Sequence, residues 1–395
     1  MPEFVFVLGK NFDLSAAEID CFMKARGIGF EVKDFLDPFL VVEAERLPQG
    51  MMEALGGTIK IAEVFFSSAR RSQDDIAEEM MKKLDFEKMF AQLPEKALFA
   101  VSAYGSKADS EFFSEFLKQR MKEVGIRPGY MHSDEALTHM DVLKKHLLER
   151  GAEYLACRGK VFRLAKTVAV HNPEGFKKRD DGKPVQRTIF SIPPRLCRIM
   201  INFSMAKGTL LDPFCGIGSI LMEASLMGFD VMGLDIDKEC IPGCKKNLEW
   251  LQKEYKLEMA GFEGNIKWGD ARKLSAYFGQ SSADAIVTEP YLGRPLLERP
   301  GLAEARSIIE EVRPLYAAFL KEAAKVLRPG ARAVVISPFF EVDGKNIGLD
   351  MKELADGAGL SMVDPLEESA LPHKFPLSDF EERHSTLRMI NILQK

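Results

Sequence analysis

Cysteine and tryptophan are scarce in this chain, six and two among 395 residues. Six cysteines scattered from Cys21 to Cys244 are too few for a disulfide scaffold at this length, so a reduced, cytoplasmic protein is expected. No run of about 18 uncharged apolar residues occurs, so no bilayer-spanning helix is expected. The start, MPEFVFVLGKNFDLS, has neither a basic stretch nor a cleavable apolar core, and no secretory signal is expected. Cys240 and Cys244 form a CxxxC, but no second Cys or His pair lies close in sequence, which argues against a metal site. The six histidines are scattered, no Ser/His/Asp grouping is readable, and no Gly-Lys-Ser/Thr follows a glycine-rich turn, so a P-loop is not expected.

What is present is the composition of an ordinary globular protein, 46% apolar and 29% charged. The length suits two or three domains. The net charge of −5 is unevenly spread: residues 161–210 hold ten Lys and Arg against three Asp and Glu, while the chain on either side is acidic. Phosphate attraction acts locally, within about 10 Å in physiological salt, so an acidic protein with a basic band remains compatible with nucleic acid.

The order strand, helix, strand, strand, helix, strand over residues 1–70 predicts a ferredoxin-like domain. Within it Ser15, with Glu18 three residues on, has the spacing of a capping box. Residues 71–171 predict a second α+β unit. Its helix over DSEFFSEFLKQRMKEVG puts Phe112, Phe113, Phe116 and Leu117 on one side. Residues 172–190, polar, rich in Pro and Gly and basic, predict a linker. From 191 to 395 strands and helices alternate, which predicts a mostly parallel, doubly wound sheet with its ligand at the carboxyl ends of the strands.

Four elements fall at such ends. LLDPFCGIGSILMEA runs from an apolar strand through Asp212, Phe214, Gly216 and Gly218 into a helix; glycines allow close backbone approach and the helix start orients polar ligand groups. VMGLDID ends with Asp235 and Asp237, and an acidic residue there can accept bonds from ribose hydroxyls; Asp237 also suits a helix cap. Gly269-Asp270-Ala271 follows the apolar IKW. Thr288-Glu289-Pro290-Tyr291 follows ADAIV and offers polar acceptors beside an aromatic ring, parts that suit an exposed planar base.

With IPPRLCRIMINFS ahead of them, these motifs resemble a class I S-adenosylmethionine-dependent amino-methyltransferase, a Rossmann-like domain with a mostly parallel seven-stranded sheet. Over nearly the whole length the chain is more closely similar to the THUMP-associated tRNA guanosine-10 N2-methyltransferases. GGTIKIAEV, the connector TVAVHNPEGFKKRDDGKPVQRTIFSIPPRL and DPFCGIGSILMEASLMG followed by NLEWL carry that likeness. The resemblance implies a ferredoxin-like and a THUMP-like RNA-binding unit before the catalytic domain. It implies S-adenosylmethionine as cofactor and tRNA as partner. By the same resemblance Asp212, Phe214, Gly216 and Gly218 shape the methionine pocket, Asp235 holds the ribose, Ile236 packs on adenine, and Asp270 with Ala271 meets the adenine amine. Some relatives work with a small zinc-binding activator subunit, and the sequence leaves that open.

One departure bears on mechanism. The resemblance sets Asp or Asn, then Pro-Pro-Tyr, where this chain has Thr288-Glu289-Pro290-Tyr291. A Thr hydroxyl is a weaker acceptor than a carboxylate. One expectation is that Glu289 supplies the missing acceptor or proton sink, with Thr288 secondary. The competing one is a solvent-facing Glu289 in an RNA-binding protein that has lost catalysis. Adenine N6-methylation of DNA or RNA uses the same motif geometry and is the other enzymatic alternative. The basic band, Lys177, Lys178, Arg179, Lys183 and Arg187, is expected to contact RNA phosphates, against the reading of a solvated linker.

Overall fold

The structure, a computed structural model, describes the whole chain apart from residues 132–135, 188–191, 259–260, 297, 368–370, 372–375 and 380–384. It divides into two compact units. The first is Met1–Phe12, Ile28–Glu53 and Thr58–Pro173; the second is Asp13–Gly27, Ala54–Gly57 and Glu174–Lys395. Among the described residues no helix is long and apolar enough to cross a membrane.

The chain begins β1 (Glu3–Leu8), α1 (Phe12–Ala25), β2 (Phe30–Leu36), β3 (Phe39–Ala44), α2 (Met51–Ala54), β4 (Thr58–Ser68), α3 (Gln73–Lys83), α4 (Phe86–Phe90) and β5 (Lys96–Tyr104). There follow α5 (Ala108–Glu123), β6 (Arg127–Tyr130), α6 (His139–Lys144), α7 (Leu147–Arg150), β7 (Gly151–Arg158) and β8 (Phe162–Val170). The eight strands make one sheet in the order β2-β3-β1-β4-β8-β7-β5-β6. The expected boundary near residue 70 is therefore absent. β4 is 11 residues long and pairs antiparallel with β1 on one side and β8 on the other, so the strands of the ferredoxin-like segment and of the second segment share one ladder. The core under the sheet is aromatic: Phe99, Phe113, Tyr154 and Phe162 are buried, and the Phe113 and Phe162 rings stack at 4.7 Å. On α5, Phe113 and Leu117 are fully buried while Phe112 and Phe116 pack at the margin of the same cluster.

The second unit holds α8 (Pro173–Asp181), α9 (Pro194–Ser204), β9 (Thr209–Asp212), α10 (Ser219–Leu226), β10 (Asp230–Asp235), α11 (Cys240–Tyr255), β11 (Ile266–Trp268), α12 (Leu274–Phe278) and β12 (Ala283–Thr288). It ends with α13 (Leu302–Val326), β13 (Leu327–Val342), β14 (Lys345–Gly348), α14 (Met351–Asp356), β15 (Ser361–Met362), β16 (Leu377–Asp379) and β17 (Leu387–Gln394). Seven strands run in the order β11-β10-β9-β12-β13-β17-β15, and β14 and β16 add short pairings. The first five are mutually parallel, and β17 enters antiparallel between β13 and β15. The mostly parallel seven-stranded sheet expected from the sequence is thus present. Tyr316, Phe319 and Leu320 of α13 fill one face against Leu211, Ile286 and Val335.

Helix α1 belongs with this second unit. It begins at Phe12, so Ser15 and Glu18 lie inside the helix and form no capping box. The Ser15 hydroxyl instead donates to the Gly57 carbonyl at 3.1 Å. The buried Glu18 carboxylate accepts from the Gly56 and Gly57 amides and from Asn202 Nδ2 of α9, each at 2.7 Å. A side chain at Gly56 would lie 2.1 Å from the Arg195 carbonyl oxygen, so the close approach of this turn to α9 requires glycine.

Burial pushes the Glu18 pKa up from 4.5 to about 7, against the pull of the Gly56 and Gly57 amides. The folded state then keeps a proton that the unfolded chain releases. The second unit should lose stability as pH rises from about 4.5 to about 7 and level off above that. In Glu18→Gln that decline should be shallower. Urea unfolding at several pH values, followed by the fluorescence of Trp250 and Trp268, which both lie in this unit, measures the slope. An unchanged slope would exclude Glu18 as a source.

Candidate active site at the strand ends

β9, β10, β11 and β12 run parallel, so Asp212, Asp235, Trp268 and Thr288 terminate at one edge of the sheet. After Asp212 the chain turns through Gly216 at φ +50° and Gly218 at φ +91° into α10. Both angles favour glycine. At Gly216 a side chain would meet open space, whereas at Gly218 it would lie 2.7 Å from Cys244 Sγ. The loop needs Gly218 for packing as well as for conformation.

Asp212 is buried and its Oδ1 accepts from the Thr288 hydroxyl at 2.6 Å and from the Phe214 amide at 3.1 Å. Burial raises its pKa to about 7, with the Thr288 hydroxyl pulling the other way. Phe214 is half-buried, edge-on to Phe319. Asp235 bridges two segments: Oδ2 accepts from the Gly216 amide at 2.7 Å and Oδ1 from the Asp237 amide at 2.8 Å. Each oxygen keeps acceptor capacity for a further hydroxyl. Beside it Ile236 is 64% and Trp268 59% exposed, and Trp268 Nε1 donates to the Ile236 carbonyl at 3.0 Å. Trp268 was not singled out from the sequence; a tryptophan at the end of a strand, directly before Gly269-Asp270, was the available signal.

The Asp270 carboxylate is engaged by Arg272, through its amide at 2.9 Å and its guanidinium at 2.7 Å, which holds it below the usual carboxylate range. Ala271 is buried beneath it. In the Thr288-Glu289-Pro290-Tyr291 segment, Thr288 is fully buried and its hydroxyl donates to Asp212. The Glu289 carboxylate accepts from Arg388 Nε of β17 at 2.6 Å. Glu289 is therefore not solvent-facing, and its carboxylate is paired with Arg388. Pro290 is buried and Tyr291 is 43% exposed. Among the described residues the carbonyls of Glu289 and Pro290 accept no hydrogen bond.

The basic band differs most from expectation. Residues 173–181 form a helix, started by Pro173, and residues 188–190 of the expected linker lie outside the described residues. Arg179 is buried; its guanidinium donates to Glu223 through Nε and Nη2, and Arg198 donates to the same carboxylate at 2.6 Å. The Phe176 ring lies under both guanidinium groups, at 4.5 and 4.9 Å. Lys183 is buried against Ser219. Arg179 and Lys183 thus lie inside the protein and not on a surface that an RNA backbone can reach. Lys177, Lys178 and Arg187 are exposed, with Lys178 paired to Glu254 and Arg187 to Asp237. All six cysteines are free and buried, and no His, Cys, Asp and Glu group among the described residues could hold a metal ion.

Residues 187–340 match a family model described as an RMKL-like methyltransferase domain. A tRNA (guanine(10)-N2)-dimethyltransferase of Methanothermobacter thermautotrophicus is 28% identical over 362 residues, 90% of this chain and 92% of its own length. The protein of the same name from Pyrococcus abyssi is 38% identical over 118 residues, so this chain spans 33% of that relative in the matched region and 30% of itself. Among solved structures, TrmN from Thermus thermophilus covers all of this chain and 99% of its own, with a TM-score of 0.52 at 17% identity, a likeness of fold.

The two arginines on Glu223 should act on stability and not on RNA contact. Arg179→Ala leaves a buried carboxylate one partner short and should cost about 3 kcal/mol. Lys177→Glu, at an exposed position, should change stability by less than about 0.5 kcal/mol. Urea midpoints of the two variants, read by tryptophan fluorescence, test the contrast. Equal midpoints would show that Arg179 is not a structural tie.

Proposed function

We infer the reaction from family membership: the chain belongs to the class I S-adenosylmethionine-dependent methyltransferases, and it transfers a methyl group to the exocyclic N2 amine of a guanosine in tRNA. Guanosine 10 is the position in the names of its relatives, including the one matched over 90% of this chain. The observation that carries the reading is the bond from Thr288 to Asp212, which joins the donor loop to the target-base loop at one sheet edge.

The residues present fit the donor. Gly216 leaves space beside the loop, Asp235 keeps acceptor capacity for ribose hydroxyls, and Ile236 with Trp268 offers an apolar ledge for a purine. S-adenosylmethionine, when bound, supplies a methyl group on a sulfonium that is already a good leaving group. The protein's task is then mainly positioning, which can contribute several kcal/mol. Tyr291 offers an exposed ring for the base to stack on. The free carbonyls of Glu289 and Pro290 are the acceptors we assign to the amine. A bond from each amine N–H to such an acceptor turns the nitrogen lone pair out of conjugation with the ring. Thr288 and Glu289 act as positioning residues, one through Asp212 and the other through Arg388.

The first unit, and not the basic segment, is the part we assign to gripping tRNA, in line with a THUMP-like role for residues 71–171. An open groove of about 670 Å³ at its β5–β6 edge is lined by Lys96 and Lys122. The names of its relatives point to tRNA and not to a zinc-binding activator subunit.

Unmodified tRNA incubated with the protein and S-adenosylmethionine should yield N2-methylguanosine by nucleoside mass spectrometry. N6-methyladenosine would overturn the base assignment, and no methylated nucleoside with donor binding intact would overturn the enzymatic reading. In Glu289→Gln, where the amide oxygen still accepts from Arg388, the rate should stay within about tenfold of wild type; a general base would cost about a hundredfold or more. A loss of that size would restore Glu289 as the proton acceptor.

A further inference from the structure

Lys183 has a buried ammonium group with too little around it. The residue is 3% exposed, and burial lowers its pKa. Its Nζ donates to Ser219 Oγ at 3.3 Å, and among the described residues it forms no ion pair. An ammonium carries three donors, and among the described residues Lys183 places only one of them, on a neutral hydroxyl. Other buried cations of the second unit are served differently. Arg179 and Arg198 share Glu223, and Arg388 has Glu289. Asp180, Asp181 and Glu223 act on Lys183 through space without pairing with it.

The place of this charge is informative. Ser219 is the first residue of α10, directly after Gly218 of the donor loop, and no side chain caps that helix start. The first amides of α10 therefore add partial positive charge on the same spot. The segment carrying Lys183 is fastened to the loop. The Val185 amide donates to Asn247 Oδ1 at 2.9 Å, and Asn247 Nδ2 donates to the carbonyls of Val185 at 3.1 Å and of Ile217 at 2.9 Å. The Cys197 thiol of α9 is raised by burial, and Lys183 acts on it in the opposite sense.

We propose that Lys183 is the anchor for the α-carboxylate of the donor's methionine part, a directly bonded carboxylate of the kind that Arg179, Arg198 and Arg388 each find within the protein. The proposal rests on the reading of S-adenosylmethionine as donor. It makes Lys183 a specificity residue for a ligand with an amino-acid tail, and it explains why the basic segment is bound to the donor loop and not left in solvent.

Calorimetric titration of the full chain with S-adenosylhomocysteine and with 5′-methylthioadenosine, which lacks the amino-acid part, tests this directly. Lys183→Met should weaken S-adenosylhomocysteine binding by about tenfold to a hundredfold and leave 5′-methylthioadenosine binding unchanged. Lys183→Arg should keep most of the affinity for S-adenosylhomocysteine. Without ligand, Lys183→Met should melt no lower than wild type, because an unpaired buried charge is removed; a structural ion pair would give a lower melting temperature and overturn the proposal. Equal losses for the two ligands, or no loss for either, would also overturn it with the donor reading intact. A wild-type protein that binds neither ligand would overturn the donor reading itself.

Discussion

The bond from the Thr288 hydroxyl to the Asp212 carboxylate ties together the ends of two neighbouring parallel strands, and the rest of the site is arranged around it. β9 and β12 are in register at Leu211 and Ile286, so their last residues reach the sheet edge side by side. Each then opens a loop; in the proposed function the donor is assigned to the loop after Asp212 and the target base to the loop after Thr288. A buried carboxylate at such a junction is costly unless hydrogen-bonded. Asp212 receives one hydroxyl and one amide, enough to fix its orientation but not to cancel its burial, and its pKa stays near 7. The two loops cannot shift independently without breaking that buried bond.

The donor loop is held at further points along its length. Asp235 grips it at the Gly216 amide, Asn247 at the Ile217 carbonyl, and the connector is tied through Val185 to the same Asn247. With Gly216 and Gly218 in left-handed backbone, the loop has few alternative shapes once these bonds are made. Such a loop pays little ordering entropy when a ligand arrives. Three separate stretches of chain supply these holds: the connector, β10 and α11. That explains why the connector is folded against the domain although its composition suggests a solvated linker.

Most of the sheet and the motifs at its edge could be read from the sequence because their chemistry is local. Asp212 to Gly218 follows an apolar strand within a few residues, and Asp235 and Thr288 end strands of their own. What could not be read depends on partners far along the chain. Ten cations against three acids between 161 and 210 suggest a phosphate surface, yet the carboxylates that engage Arg179, Lys178 and Arg187 are Glu223, Glu254 and Asp237, all outside that window. Ser15 and Glu18 have capping-box spacing, but helix α1 begins three residues earlier and both side chains turn to Gly56 and Gly57. The boundary near residue 70 fails for the same kind of reason: strand order within a sheet is set by pairing between β4 and β8, a hundred residues apart, and local periodicity does not record it.

The Thr-Glu pair at 288 and 289 follows from the same long-range logic. Judged by side chain alone, it trades a strong acceptor for a weak one and adds a carboxylate with no evident task. In the fold, the Thr hydroxyl is the donor that the buried Asp212 needs; an Asp at 288 would put two carboxylates within hydrogen-bond distance, which disfavours ionising both. The carboxylate at 289 meets Arg388, whose guanidinium is largely enclosed, and Asp379 stands 3.9 Å off on the same arginine. The loop therefore gains no net charge from the change, and its open acceptors are main-chain carbonyls, which every residue type carries. With the proposed roles, a target loop that presents backbone to the amine can change its first two side chains and keep its chemistry, provided the new side chains still fasten it to β9 and β17.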